Sequence, residues 1–176
     1  RSWERTSRIG SEEPVSLGDS SVSDLFAPTD ATVAGGNADV YFARSLQVLK
    51  AEGLDPQAVI EVFCRRRSLL CGMREALALL RRVTAGEPGC LVEHLPEGSW
   101  IEPKEVVLRI RAPYRVIGLY ETALLGMLSS GTGWATAAAC VEVAGDIPVI
   151  SFGARHIHPD VSGRLEYAAV LGGCVG

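Results

Sequence analysis

Hydrophobic positions along the chain fall into short blocks, and the period within them switches between about four residues and two. In "ADVYFARSLQVLKAEG", Tyr41, Phe42, Leu46 and Leu49 recur at helical spacing, and Gly53 supplies a stop. "QAVIEVFC" is dense in β-branched residues and predicts a strand, closed by the basic turn Arg65-Arg66-Arg67. "LLCGMREALALLRRV" predicts a second helix, with Leu70, Met73, Leu77 and Leu80 on one face. "CLVEHL" and "EVVLRIRA" predict two more strands, separated by turns at Gly98 and Pro103. "YRVIGLYETALLGMLSS" and "WATAAACVEVAG" predict helical runs, broken at Gly131-Thr132-Gly133. "AGDIPVI" predicts a strand of Ile147, Val149 and Ile150 that ends at Phe152, and "GRLEYAAVL" a last helix.

The remaining stretches lack a period. Residues 1–24 are polar and rich in Ser and Glu, which predicts a loose segment. "DLFAPTDATVAGGNADV" carries Pro28 and the Gly35-Gly36 pair and predicts loop. The predicted order is α, β, α, β, β, then α, β, α. The first part suits helices over a mostly antiparallel sheet, and the last part suits the start of a βα repeat. The expected class is therefore α/β: an α+β N-terminal sandwich domain, then the truncated first part of an α/β barrel. The expected division is a flexible segment over 1–24, an N-terminal α+β domain over 25–118, and the start of the barrel domain over 119–176. A complete barrel needs roughly 250 residues. The chain also opens without Met and ends in the small and apolar run "AAVLGGCVG", so a fragment is expected.

Composition narrows the function classes. The chain has 176 residues, 47% hydrophobic and 22% charged, which suits a packed globular core. Its net charge of −4 supplies no general basic field, so nucleic acid is not an expected partner, although a small basic pocket for phosphates is not excluded. Cys64, Cys71, Cys90, Cys140 and Cys174 show neither a CxxC pair nor zinc spacing, which suits a reducing cytoplasm. The longest apolar run contains Glu121 and is too short for a membrane span, and the N-terminus has no apolar signal core. No membrane partner is expected.

Candidate chemistry concentrates in "SFGARHIHPD". Two of the three histidines, His156 and His158, stand here beside Arg155. On an extended strand they would face one side, and an H-x-H pair can hold a metal. No nearby Cys or Glu completes a ligand set. A plain structural reading makes them the hydrogen-bonded end of a strand. The third reading is an anion site: Arg155 suits a carboxylate or phosphate, Gly153 admits close backbone approach, and Phe152 offers a flat face.

The stretch "SFGARHIHPDVSGRLEYAAVLGGC" resembles the nicotinate phosphoribosyltransferases. Arg155, Pro159, Arg164, Tyr167 and Gly172-Gly173 keep the order found in the relatives that act on quinolinate, and "FGAR" resembles the Phe-Gly-x-Arg of the nicotinate and nicotinamide enzymes. "NADVYFARSLQVLKAEGLDPQAVIEVFCRR" is similar to the family's N-terminal signature, with Asp39, Tyr41 and Phe42 in its Asp-x-Tyr position. The resemblance covers roughly residues 25–176. It implies transfer of phosphoribose from phosphoribosyl pyrophosphate to nicotinate, with Mg²⁺ on the leaving pyrophosphate and ATP coupling left open. It implies that Phe152 stacks on the ring and that Arg155 holds its carboxylate or a donor phosphate. Gly153, His156, His158 and Arg164 would complete the rim.

The resemblance further implies a homodimer with shared active sites. Asp39 and Tyr41 would reach the partner's site, and Tyr41 would stack on the ring's other face. Without the resemblance, Tyr41 reads as a core aromatic. The arginine cluster, read alone as a solvated turn, would by resemblance meet phosphates. Where the quinolinate enzymes carry Lys and Thr after the strand-end Arg, this chain has His156 and Ile157, which favours nicotinate over the dicarboxylate. The family's later elements are absent, so a fragment inactive alone is expected. The competing readings are a quinolinate enzyme and a non-catalytic relative that binds a partner chain.

Overall fold

The structure, a computed structural model, describes residues 4–6 and 25–175. Four strands form one antiparallel sheet: β1 (Glu4–Thr6), β2 (Gln57–Phe63), β4 (Leu91–His94) and β6 (Val106–Pro113), in the order β1-β4-β6-β2. A two-stranded ribbon pairs β3 (Ser68–Leu69) with β5 (Trp100–Ile101). The helices are α1 (Asp30–Val33), α2 (Val40–Ala51), α3 (Met73–Val83), α4 (Tyr114–Ile117), α5 (Glu121–Ala138) and α6 (Pro159–Leu171). This mixed layer of helices and antiparallel strands is the α/β class that the pattern predicts. Outside residues 4–6, the segment expected to be loose lies beyond the described residues.

Strand β6 is central because its period-2 pattern serves two faces. Leu108, Ile110 and Ala112 are fully buried under the helices. Their neighbours Arg109 and Arg111 face outward, and the register sets Glu61 of β2 and Glu93 of β4 on either side of Arg109. The Arg109 guanidinium donates to Glu61 at 2.7 Å and to Glu93 at 3.5 Å. A polar row on one face and an apolar row on the other fixes the register, since a slip of one residue would exchange the faces.

Helix α3 supplies the other side of the core through Met73, Ala76, Leu79 and Leu80. It starts later than its pattern suggests. Leu70 and Cys71 belong to the extended segment after β3, and Gly72 at φ +92° turns the chain into the helix. A Cβ on Gly72 would collide with the Met127 carbonyl oxygen of α5, so this position needs glycine twice over. Glycine provides no side-chain cap. The cap comes from Glu97 instead, whose carboxylate accepts from the N–H groups of Gly72 at 2.8 Å and Arg74 at 2.9 Å.

Helix α5 corrects a second expectation. Gly131-Thr132-Gly133 is not a break, because the helix runs through it from Glu121 to Ala138. Gly131 is there for contact: a Cβ would lie 3.1 Å from the Cys71 carbonyl carbon and the Gly72 nitrogen. The continuous helix and the 3-10 turn after it make Glu121–Ala144 long and apolar enough, by length and composition, to cross a membrane. One face of it, Leu124, Leu128, Gly131, Thr132 and Ala135, is buried against α3, β3 and α6.

The predicted strand of Ile147, Val149 and Ile150 does not form. A strand needs a ladder, and among the described residues the one long-range backbone hydrogen bond of this stretch is from the Val175 N–H to the Val149 carbonyl at 2.9 Å. Ile147 and Ile150 are exposed.

Candidate functional site

The chain from Ser151 onward is shaped by short-range hydrogen bonds. The Gly153 N–H donates to the Ser151 hydroxyl at 3.2 Å, and the His156 N–H donates to the Gly153 carbonyl at 2.9 Å. These close a 3-10 turn over Gly153–Arg155. The turn packs on α6 so closely that a Cβ on Gly153 would overlap the Leu165 side chain. The Ala154 N–H donates to Glu166 Oε1 at 3.0 Å, which ties the turn to the middle of α6.

This turn brings Phe152, Gly153 and Arg155 together. Phe152 is 59% exposed, and the Arg155 guanidinium carbon stands 4.9 Å from its ring centroid. The pair presents a flat apolar surface and a cation in one place, which suits a planar anion. One expectation changes in detail: the Arg155 guanidinium lies over the Phe152 ring, so a stacked ligand must share the ring or use its other face.

The two histidines are not strand neighbours. His156 follows the turn and is exposed, while His158 is the N-cap of α6. His158 Nδ1 accepts from the Asp160 N–H at 3.2 Å, which makes it a capping group. The one-sided H-x-H geometry that a metal pair needs is therefore lost. Among the described residues no group of three or more His, Cys, Asp or Glu could hold a metal ion.

Arg164 also departs from the expected rim. Its Nε donates to Glu75 Oε1 of α3 at 2.8 Å, and its terminal nitrogen donates to the Asp160 carbonyl at 3.0 Å. Glu75 is 9% exposed. Burial pushes its carboxyl above the ordinary range, and Arg164 opposes that shift by charge and hydrogen bond. Arg164 is a brace between α6 and the core, and sequence reading gave no sign of its partner 89 residues away.

Asp39 and Tyr41 occupy the start of α2. The Thr122 hydroxyl donates to Asp39 Oδ2 at 3.0 Å, which ties α2 to the first turn of α5. Tyr41 is 55% exposed, and its ring lies 4.2 Å from that of Phe42. The core aromatic of this helix is Phe42, because Tyr41 points off the buried face. Partial desolvation and the nearby Asp39 and Glu121 carboxylates raise the Tyr41 phenol above its ordinary value. No hydrogen bond, ion pair or ring contact joins Asp39 or Tyr41 to the Phe152 turn among the described residues. In the arginine cluster, Arg67 stacks over Trp100 at 4.2 Å and stands 3.5 Å from Glu102, while Arg65 and Arg66 are exposed.

Comparison with known proteins adds the family. A family model described as the N-terminal domain of quinolinate phosphoribosyl transferase matches residues 39–131. The crystal structure of nicotinate-nucleotide pyrophosphorylase from Pyrococcus furiosus is similar at 38% identity and a TM-score of 0.76, covering 85% of this chain and 39% of its own. Human nicotinic acid phosphoribosyltransferase is similar at 26% identity and a TM-score of 0.67, with 77% of this chain and 34% of its own covered. The nicotinate-nucleotide pyrophosphorylase from Francisella tularensis shares the fold at 15% identity and a TM-score of 0.65, with 86% and 53% covered. The chain thus spans well under two thirds of the length of each.

Proposed function

We propose, for a chain that belongs to the family of quinolinate phosphoribosyl transferase N-terminal domains, a part in joining a pyridine carboxylate to phosphoribosyl pyrophosphate. The reaction would give a pyridine mononucleotide and pyrophosphate, as a step in pyridine nucleotide synthesis. The observation that carries this reading is the family match over residues 39–131, with the Pyrococcus furiosus enzyme 38% identical.

The geometry supports a division of labour. Phe152 would stack against the ring, and Arg155 beside it would hold a carboxylate in a charge-assisted hydrogen bond. Such transfers develop positive charge at the anomeric carbon, so orientation and charge placement do most of the work, and no covalent nucleophile is required. Mg²⁺ would come with the donor's pyrophosphate. Asp39 and Tyr41 would complete the site of a second copy in a homodimer. Support for this is the exposure of Tyr41 and its lack of contact with the Phe152 turn of its own chain.

The leading substrate is quinolinate, on the family match. A second reading, nicotinate, rests on charge. A dicarboxylate wants two fixed cations, and Arg155 is the one arginine of this turn, because Arg164 on α6 is held by Glu75. Pyrophosphate release by the longest polypeptide carrying this chain, with quinolinate, nicotinate and nicotinamide in turn, tests both. Turnover of quinolinate supports the first reading, and turnover of nicotinate alone supports the second. Turnover of none, or of nicotinamide alone, overturns the proposal.

A further inference from the structure

The Phe152–Arg155 turn is built from local hydrogen bonds except at one point. Arg155 N–H bonds to the Phe152 carbonyl, His156 N–H to the Gly153 carbonyl, and Gly153 N–H to the Ser151 hydroxyl, all within three residues. The Ala154 N–H goes to Glu166 Oε1, twelve residues on. Glu166 stands on α6, whose place in the core is fixed independently. Ala168 and Ala169 are buried, the Tyr167 ring packs edge-on against Phe26 with centroids 4.9 Å apart, and Arg164 is braced by Glu75. A path of contacts therefore runs from the core through α6 and the Glu166 carboxylate to Ala154, and so to the two side chains on either side of it. Phe152 and Arg155 are exposed, and besides this tether the turn rests on Leu165 of α6 through Gly153.

We propose that Glu166 is a positioning residue, whose carboxylate holds the Ala154 amide so that Phe152 and Arg155 stay arranged as one clamp for the planar substrate. The inference rests on reading that clamp as the pyridine-carboxylate site. Glu166 does not touch the ligand. It acts through the turn, so its loss weakens pyridine binding and leaves the affinity for the phosphoribosyl donor alone. An acceptor oxygen is what the tether needs, and a negative charge is not. A glutamine supplies that oxygen.

The test uses the longest polypeptide that carries this chain, with Glu166→Ala and Glu166→Gln variants. Steady-state kinetics give KM for the pyridine, KM for the donor and kcat, and amide hydrogen exchange at Ala154 is followed in parallel. For Glu166→Ala the expected result is a rise in pyridine KM of about fivefold, the scale of one neutral hydrogen bond, with donor KM within twofold. Glu166→Gln should return pyridine KM to within about twofold of the parent. An unchanged pyridine KM in Glu166→Ala, or a glutamine variant as impaired as the alanine one, would overturn the proposal. If the parent turns over no pyridine carboxylate, the functional reading fails by itself, and exchange then decides the tether. Faster Ala154 exchange in Glu166→Ala, restored in Glu166→Gln, upholds it, and unchanged exchange overturns it.

Discussion

Thr132 satisfies both backbone hydrogen-bonding groups of Cys71. Its hydroxyl oxygen accepts from the Cys71 N–H at 3.1 Å, and its proton goes to the Cys71 carbonyl at 3.0 Å. A helix side chain thus does for an extended segment what a neighbouring strand would do in a sheet. Gly131, beside it, allows the approach. Thr132→Val keeps the shape and removes both partners of two buried groups. It should cost about 2–4 kcal/mol in urea unfolding, since each group is left unsatisfied away from water. A cost under about 0.5 kcal/mol would mean that water reaches Cys71.

The cap on α3 is remote, so it can be removed without touching the helix. Glu97→Ala should lower stability by about 1 kcal/mol, the usual scale for a lost N-cap. Glu97→Gln, which retains one acceptor oxygen, should lie between the parent and the alanine variant in the same denaturant titration. Equal midpoints for all three would remove Glu97 from the account of how α3 begins.

Arg115 grips Glu87 with two hydrogen bonds of 2.8 Å and Asp55 with one of 2.9 Å. The hydrogen bonds from Arg115 hold the Glu87 carboxyl below its ordinary value of 4.5. A carboxyl lowered in the folded state binds protons more readily when unfolded. Its contribution is therefore present above about pH 4.5 and is lost as pH falls through the lower folded value. Both partners are partly in water, so the effect is modest. Glu87→Gln should flatten the decline of stability with acid, as read by thermal melts between pH 6 and pH 3. An unchanged slope would assign that decline to other groups.

Two cysteines near one another in sequence have opposite environments. Burial, with the charge of Glu97, pushes the Cys71 thiol up to about 12. Burial also acts to raise Cys64, but hydrogen bonds with Ser68 and with the backbone of Arg66 and Arg65 outweigh it and leave that thiol lowered. Iodoacetamide at pH 8 should therefore alkylate Cys64 well before Cys71, as peptide mass spectrometry can read. Equal rates would show that the segment around Cys71 opens freely.

Much of the fold was legible because its signals are local. Leu108, Ile110 and Ala112 alternate with Arg109 and Arg111, and Met73, Ala76 and Leu80 repeat at helical spacing. The failures occurred where a distant contact decides. Gly131 looks like a breaker until Cys71 is placed against it, and Leu70 looks helical until Gly72 turns the chain. The Phe152–Arg155 turn shows the same division. That Phe152, Gly153 and Arg155 stand together was legible as one short motif. Glu166, Glu75 and Glu97 were not, because a carboxylate's partner many residues away leaves no mark in spacing.

The shared-site proposal has a test of its own. Tyr41→Ala and Arg155→Ala variants should each lose activity, and a mixture of the two should regain part of it. In a mixed dimer one site carries both lesions and the other neither. If subunits exchange and activity stays absent, Tyr41 serves only its own chain.

The central claim is that the Phe152–Arg155 turn binds the pyridine carboxylate. The most direct measurement is kcat/KM for that substrate in Arg155→Ala, at saturating phosphoribosyl pyrophosphate and in the longest polypeptide carrying this chain. The account predicts a loss of about 10- to 100-fold, equivalent to roughly 1.5–3 kcal/mol for a hydrogen bond to a charged group. A value within a factor of about two of the parent would contradict it.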